Sequence, residues 1–399
     1  MTAAKSRPFV VAVFALGLGV SAAPAPAQTT RAGTIGEAQA AKAAAVPTDP
    51  PGWLERTVVR IRRAAVESPS GPYPIVDSVY LGGGPTAGAG YRQYLGDRTV
   101  ATVRGLYSVK HYAALETHLA SRGHRSDRVD LFADITWMDA PEVGYHGLGM
   151  DAADDGRANF RLRHAAAGGA VTFRPRRHWA LAAALAAEGF TLDAGAGAEP
   201  SIEERYDAGT APGFGASPGY AHSTWSAGYD WRPAPGYARR GGAYGVSYHR
   251  YDRRGAYAFD RLDVELVQHL PVWRETWVLS GRARLQSALG DDDVPYFLLP
   301  ALGGGSTLRG YGSWRFRDRH ALLVQGEFRW VPNLLGMDMA IFWDGGAVAA
   351  ARGDLSAGRF AHDVGIGVRL HTPAATPIRV ELARGDGGLR LVMAAKAVF

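Results

Sequence analysis

The chain has 399 residues, of which 47% are hydrophobic and 51 are glycine, and its formal net charge is +6. Cysteine is absent, which excludes disulfide bonds and thiolate metal sites. Beyond the N-terminal region, the sequence holds no run of the roughly 18 apolar residues that a membrane helix requires. Many arginines occupy alternate positions and are expected to face inward, so the positive charge does not predict nucleic-acid binding.

The first 27 residues are predicted to be a signal peptide. Lys5 and Arg7 precede an apolar run over residues 9–20, and residues 25–27 are small and suit cleavage before Gln28. The sequence therefore predicts an exported protein whose mature chain begins near Gln28.

Residues 28–72 are predicted to combine a disordered segment with one short amphipathic helix. The first part of this stretch is small and polar, as in disordered chains. Over residues 53–66 the apolar side chains fall on one helical face, and Arg56, Arg60 and Arg63 fall on another. We interpret this helix as resting on the mouth of the structure that follows, and the alternative is a plug inside it.

Apolar and polar side chains alternate with a period of two through residues 73–399. In one clear stretch, one face carries Leu322, Val324, Phe328 and Trp330, and the other carries Gln325, Glu327 and Arg329. In a membrane barrel such alternation places apolar side chains against lipid and polar side chains in the lumen. A soluble β-sandwich would show a similar pattern, so the alternation alone leaves both folds open.

The alternation divides into sixteen predicted strands, each close to the roughly 9–11 residues that cross a bilayer at a tilt. Their predicted centres are residues 78, 90, 103, 115, 132, 168, 184, 225, 247, 263, 280, 326, 342, 366, 380 and 393. The long connections follow odd-numbered strands, at about 139–157, 192–219, 289–318 and 348–361, whereas those after even-numbered strands are mostly short. This parity is typical of outer-membrane barrels. The sequence therefore predicts an all-β fold, a transmembrane antiparallel barrel of sixteen strands over residues 73–399.

A glycine run opens the most distinctive segment, within the longest predicted loop. Gly303, Gly304 and Gly305 permit backbone conformations that other residues avoid. A nucleotide-binding phosphate loop would require a following Gly-Lys-Ser/Thr and a strand-to-helix context, and the sequence provides neither. We therefore expect no nucleotide at this loop.

The tetrad after this run consists of Leu308, Arg309, Gly310 and Tyr311. Glu327 and Asp344 occupy inward positions on adjacent predicted strands. A guanidinium offers a planar fork of donors that can clasp carboxylates. We therefore expect the loop to fold into the lumen and Arg309 to contact Glu327, Asp344 or both; the alternative is a solvated arginine without a fixed partner.

The segments GGGSTLRGY, RFRD and GEFRW resemble the signature of the BamA/TamA outer-membrane assembly-factor superfamily, also called bacterial surface antigen barrels. The likeness extends loosely over residues 73–399. It implies an inward-folded loop whose arginine, here Arg309, contacts an acidic residue of the following strand, here Glu327. It also implies a contact with the aspartate of an F-x-D-x-G-like strand, here Asp344.

The resemblance implies an outer-membrane protein that assists the insertion or translocation of polypeptides. The expected partners are outer-membrane lipids, client polypeptides and a separate periplasmic protein. Assembly factors of this superfamily carry POTRA domains that handle client chains, and residues 28–72 are too few for such a domain. This departure leaves open a second function, that of a passive, porin-like channel.

A barrel enzyme is the third function considered, and the sequence gives it little support. It holds neither a Gly-x-Ser-x-Gly nucleophile elbow nor a His-Glu-x-x-His metal motif. The acidic clusters at residues 154–155 and 291–293 are interpreted as solvated loops rather than cation sites. We expect no catalytic residue, metal, cofactor or nucleic acid.

The last predicted strand is expected to carry the C-terminal signal by which barrels are recognised during assembly. Leu389, Leu391, Met393 and Phe399 fall on its lipid face. We expect this strand to pair with the first strand near Tyr80, and the resemblance implies that this seam is weak.

Overall fold

The computed structural model describes residues 70–254, 256–290, 293–332, 336–372, 375–394 and 397–398. The predicted signal peptide, the predicted helix over residues 53–66 and Phe399 lie outside the described residues. Within the described ranges, no helix is long and apolar enough to cross a membrane.

Sixteen antiparallel strands form one sheet, in which each strand pairs with its neighbours along the chain. They are β1 (Gly71–Asp77), β2 (Thr86–Leu95), β3 (Thr99–Ser108), β4 (Ala113–Gly123), β5 (Val129–Tyr145), β6 (Ala158–Phe173), β7 (Trp179–Ala194), β8 (Gly219–Asp230), β9 (Gly241–Asp252), β10 (Phe259–Trp273), β11 (Trp277–Leu289), β14 (His320–Trp330), β15 (Met337–Ala349), β16 (Ala361–Leu370), β17 (Ile378–Gly385) and β18 (Gly388–Ala394). Two short strands, β12 (Ala301–Leu302) and β13 (Phe316–Arg317), pair with each other inside the loop between β11 and β14. The prediction of a sixteen-stranded antiparallel barrel is confirmed.

The first strand differs slightly from its prediction. It begins at Gly71 rather than at residue 73, and its predicted centre, residue 78, lies one residue beyond Asp77. The other predicted centres all fall within observed strands.

The seam between the first and last strands differs more. Among the described residues no ladder joins β1 to β18, which stand at the two ends of the strand order. Tyr80, expected in the first strand, lies in the following turn, where its ring stacks on Trp314 with 5.1 Å between centroids. The extended strand has already ended at Asp77, and Gly82 and Gly84, with φ angles of +95° and +73°, continue the turn after Tyr80 in a conformation that favours glycine. The barrel is therefore nearly closed.

The outer face of the barrel is apolar and the inner face is polar. On β15, Met339, Ile341 and Trp343 are 48%, 58% and 39% exposed, whereas Asp338 and Asp344 are fully buried. Exposed apolar side chains over a closed polar interior are expected when lipid rather than water surrounds the barrel.

The two ends of the barrel differ in the length of their connections. The long connections, residues 146–157, 195–218, 290–319 and 350–360, all lie at one end, which we call the long-loop end. The other end, which we call the short-turn end, has connections such as residues 96–98 and 274–276, and its longest is the turn 231–240. The predicted parity of loop lengths is confirmed.

Aromatic side chains pack into a dome beneath the long loops. Tyr296, from the loop between β11 and β14, lies 5.1 Å from the ring of Tyr145 and 4.9 Å from that of Phe160, measured between centroids. Tyr145 and Phe160 belong to β5 and β6 and are fully buried. The loop segment around Tyr296 therefore lies inside the ring of strands and fills the long-loop end of the lumen.

Truncation of a dome residue is expected to destabilise the barrel. Phe160→Ala should lower the free energy of unfolding by about 3–5 kcal/mol, because it leaves a cavity among packed rings. Phe173→Ala, on the same strand but 42% exposed on the outer face, should cost less. Urea unfolding followed by tryptophan fluorescence in lipid vesicles measures both variants, and equal losses would contradict a packed dome.

Candidate functional site

The loop between β11 and β14 begins its inward course at the glycine run. Gly303 and Gly304 have φ angles of +111° and +100°, and a Cβ on Gly303 would overlap the carbonyl oxygen of Gly312. The amide of Gly304 donates to the carbonyl oxygens of Leu308 and Tyr311, at 3.1 Å and 3.2 Å. Only residues that tolerate a positive φ allow this compact turn, and it places Arg309 at the tip.

Arg309 is fully buried, and two of its guanidinium nitrogens bind the two carboxylate oxygens of Asp344. Its Nε lies 2.7 Å from Asp344 Oδ2, and its Nη2 lies 2.7 Å from Asp344 Oδ1. Its Nη1 donates to Glu327 Oε1 at 2.8 Å. The Phe342 ring lies 3.4 Å from the guanidinium carbon, which adds a cation–π contact in a desolvated site. The structure thus brings together the three residues that the sequence singled out.

Three further charged residues, which sequence reasoning missed, complete the arrangement. Glu381 Oε1 accepts from Arg309 Nη1 and from Arg369 Nη2, at 3.1 Å each. Arg369 also donates to both oxygens of Glu327, at 2.6 Å and 2.8 Å. Arg379 pairs with Glu381 and donates to the carbonyl oxygen of Gly305. All three occupy inward positions on β16 and β17. The alternation of apolar and polar residues therefore indicates that they face the lumen, although it does not show that they meet Arg309.

We call this group the ion cluster; it consists of Arg309, Arg369, Arg379, Glu327, Asp344 and Glu381. Each side chain is at most 3% exposed. Formal charges within the cluster cancel, three positive against three negative. Burial of an isolated charge is costly, and loss of one member leaves its partners uncompensated. The cluster therefore holds the loop only while it is complete.

The neighbours of Arg309 in the tetrad fix the tip against the wall. Leu308 is fully buried in an apolar cluster with Leu302 and Phe316. A Cβ on Gly310 would lie 2.6 Å from both Asp363 Cβ and the Gly385 amide nitrogen, so only glycine fits this approach. The Tyr311 hydroxyl donates to Asp386 Oδ2 at 2.8 Å. The tip is therefore attached to the wall by shape as well as by charge.

The C-terminal residues also approach the loop. A Cβ on Gly305 would lie 2.8 Å from Val392 Cγ1 of β18. Leu389, Leu391 and Met393 are 69%, 62% and 68% exposed on the outer face. The carbonyl oxygen of Val398 lies 3.5 Å from Arg282 Nη1, so the chain turns inward after β18.

A second polar cluster lies on β7, β8 and β9. Thr224 Oγ1 is 3.2 Å from His222 Nε2, and His222 Nδ1 is 2.6 Å from Glu188 Oε1. Tyr251 stacks on His222 with 4.0 Å between centroids, and His249 contacts both Thr224 and His222. Although the order hydroxyl, imidazole, carboxylate resembles a hydrolase triad, the close stacking identifies a packed part of the lumen.

In the part of the chain that the structure describes, no three side chains are grouped to hold a metal ion. Of the predicted solvated acidic residues, Asp154 pairs with Arg315 at 2.6 Å while remaining 85% exposed. Asp291 and Asp292 lie outside the described residues.

Comparison with known proteins gives a family match for the part of the chain that holds this site. The Omp85 superfamily domain matches residues 252–386, which include the inward loop and the six barrel strands β10, β11 and β14–β17. No curated protein sequence matches the chain.

Solved structures share the fold at low sequence identity. BamA from Haemophilus ducreyi lacking POTRA domains 1–3 is 14% identical with a TM-score of 0.57, and the match covers 81% of this chain and 69% of that one. CdiB from Escherichia coli is 13% identical with a TM-score of 0.52, over 81% and 61% of the two chains. CdiB from Acinetobacter baumannii is 11% identical with a TM-score of 0.50, over 79% and 57%.

Removal of the buried guanidinium should destabilise the barrel. Arg309→Ala is expected to lower the free energy of unfolding by roughly 3–5 kcal/mol, because three carboxylates lose their shared partner. Arg309→Lys should recover only part of this loss, because an ammonium cannot bind Asp344 at two points.

Arg359→Ala is the matched control, since Arg359 pairs with Asp151 at 2.7 Å with side chains 49% and 90% exposed. Exposed pairs contribute about 0–1 kcal/mol. Unfolding curves in lipid vesicles measure all three variants. A loss in Arg309→Ala no larger than in the control would rule out a structural role for the ion cluster.

Acid is expected to weaken the packing of the long loops at His146. Burial, reinforced by Arg315, Arg157 and Arg317, lowers the pKa of His146 to about 4. Because its folded pKa lies below its unfolded pKa, its contribution is complete above about pH 6.5 and is lost as pH falls toward 4. Between pH 7.5 and pH 4, the free energy of unfolding of wild type should fall by up to roughly 3 kcal/mol more than that of His146→Gln. Unfolding midpoints at the two pH values measure this, and identical pH dependence would contradict it.

Proposed function

We propose that this outer-membrane barrel of the Omp85 superfamily assists the insertion or translocation of polypeptides at the outer membrane. The observation that carries the proposal is the loop anchored by Arg309 inside a lumen whose wall has two unpaired edge strands, β1 and β18, in its described part. We assign the long-loop end to the cell surface and the short-turn end to the periplasm, as in other barrels of the outer membrane.

The edge strands support a role with polypeptides. An edge strand presents unpaired N–H and C=O groups that can accept another strand. Addition of a strand at such an edge is a general mode of peptide recognition. The proposed partners are client polypeptides, a periplasmic protein that delivers them, and the surrounding lipids.

Three elements fill the lumen and argue against a passive channel. The aromatic dome occupies the surface end, and the anchored loop occupies the centre. At the periplasmic end the turn 231–240 folds inward, where the Tyr237 ring stacks on His371 with 3.9 Å between centroids. Arg329 of β14 donates to the carbonyl oxygen of Ala238 in the same turn. A diffusion pore would need an open path, so the channel remains the less supported alternative.

Loss of the protein should deplete other outer-membrane proteins if the proposal is correct. We expect deletion of the gene to lower the abundance of one or more barrels or exported proteins, measured by quantitative proteomics of outer-membrane fractions. Complementation with wild type or Arg359→Ala should restore them, and Arg309→Ala should not. An unchanged outer-membrane proteome in the deletion strain would refute the proposal.

Single-channel recording separates the proposal from the channel alternative. Wild type in a planar bilayer should show low and flickering conductance, because the loop and the dome obstruct the lumen. Arg309→Ala should show larger openings, since it releases the loop, and Arg359→Ala should behave as wild type. A steady, size-selective conductance in wild type would instead favour the porin-like function.

A further inference from the structure

Arginines are concentrated on one side of the periplasmic end. Three consecutive turns there, taken with the strand ends that flank the second one (residues 96–98, 122–130 and 174–178), together hold seven arginines and three aspartates and no lysine or glutamate, a formal charge of +4. Because these turns join β2 to β3, β4 to β5 and β6 to β7, they lie side by side, about 10 Å apart. We call this surface the basic arc.

Part of this charge is used within the protein. Arg174 pairs with the buried Asp130 at 2.6 Å. Arg98 donates to the carbonyl oxygen of Gly123, and Arg122 lies over the Phe132 ring. These contacts tie the three turns together.

Four arginines of the arc are left for a partner outside the protein: Arg125, Arg128, Arg176 and Arg177. All four are exposed. No carboxylate among the described residues lies within ion-pair distance of them. Arg125 also has a φ of +49° and is followed by Ser126 and Asp127 at +60° and +63°. Such a run of left-handed residues is costly outside glycine, and here it adds nothing to the core.

The surface just above the arc identifies the depth at which the arginines lie. Leu95, Leu131, Phe173 and Trp179 border the three turns and are 54%, 46%, 42% and 46% exposed on the apolar outer face. Aromatic side chains at the end of an apolar band mark the membrane interface. The guanidinium groups, one or a few residues further along the chain, therefore stand at the level of lipid headgroups.

The opposite side of the same rim lacks such charge. Residues 331–336 and 371–377 contain no Asp, Glu, Lys or Arg. The turn 231–240, between the two sides, carries three arginines. Arg232 pairs with Asp230 at 2.8 Å, Arg239 lies over the Tyr237 ring, and Arg240 has Glu275 3.5 Å away. The arginines of that turn therefore have contacts within the protein, whereas Arg125, Arg128, Arg176 and Arg177 of the basic arc are exposed and have no ion pair among the described residues.

We propose that the basic arc binds the phosphate headgroups of anionic phospholipids in the periplasmic leaflet. A guanidinium forms bidentate contacts with phosphate, and four of them beside exposed apolar side chains match a headgroup with its attached acyl chains. Such a site would enrich anionic lipid along β2–β7, starting at β2, the strand that pairs with β1. The inference requires only that the barrel spans a membrane, so it stands or falls independently of the proposed action on polypeptides.

Spin-labelled lipids test the proposal on the full chain in bilayers. The probes are phosphatidylglycerol and phosphatidylcholine, and electron paramagnetic resonance measures the fraction of each that the protein immobilises. Wild type should prefer phosphatidylglycerol severalfold at low salt, since an arginine at a membrane surface contributes up to about fivefold in affinity. Salt at roughly 1 M should abolish the preference, because the screening length falls to about 3 Å.

Two pairs of substitutions make the test specific to the arc. Arg176→Gln with Arg177→Gln should lower the preference at least threefold, and Arg125→Gln with Arg128→Gln should act in the same direction. Arg240→Gln with Arg274→Gln removes two arginines from the same rim outside the arc and should leave the preference unchanged. Heat-modifiable migration on gels verifies that each variant is folded.

Two results would overturn the proposal. One is equal loss of preference in the arc variants and in the variant outside the arc, which would show a nonspecific effect of net charge. The other is a wild type without any headgroup preference, which would leave an acidic protein as the occupant of the arc.

Discussion

The buried guanidinium of Arg309 is the interaction on which the rest of the interior depends. A loop that returns into a lumen must bring polar backbone with it, and it stays only if strong local contacts offset the loss of water. Arg309 supplies these contacts to β14, β15 and β17 at once, through Glu327, Asp344 and Glu381. The loop thereby becomes part of the barrel wall rather than a mobile connection.

Several local features of the sequence follow from this requirement. The tip must approach the wall closely, which excludes any side chain at Gly310. The turn that presents the tip needs two successive left-handed residues, Gly303 and Gly304. The positive charge must be balanced without water, and Arg369 and Arg379 complete that balance by holding the carboxylates in place. A change at any of these positions would act on the loop even where it leaves Arg309 intact.

The strands and the central contact could be predicted from sequence because both depend on local patterns. Alternation defines which side chains face inward, and the tetrad identifies which loop arginine seeks Glu327 and Asp344. Alternation places Glu381 in the lumen with many other charged residues. It could not show which of them contacts Arg309, because that depends on the path of the loop through the lumen. It also could not show that Tyr80 lies outside β1 and stacks on Trp314, because that contact joins residues more than two hundred positions apart. The lipid-facing arrangement of Phe399 stays a prediction.

The loop is attached unequally to the two sides of the seam, and this inequality bears on how the barrel could open. Toward β14–β17 it is held by the ion cluster. Toward the turn after β1 it has neutral contacts, in which Trp314 Nε1 donates to the Leu81 carbonyl oxygen at 3.0 Å and Trp314 stacks on Tyr80. Neutral contacts break at lower cost than a buried ionic network whose members must lose their partners. Separation of β1 from β18 would therefore leave the loop with the C-terminal strands, so that the lumen stays filled while the edges part.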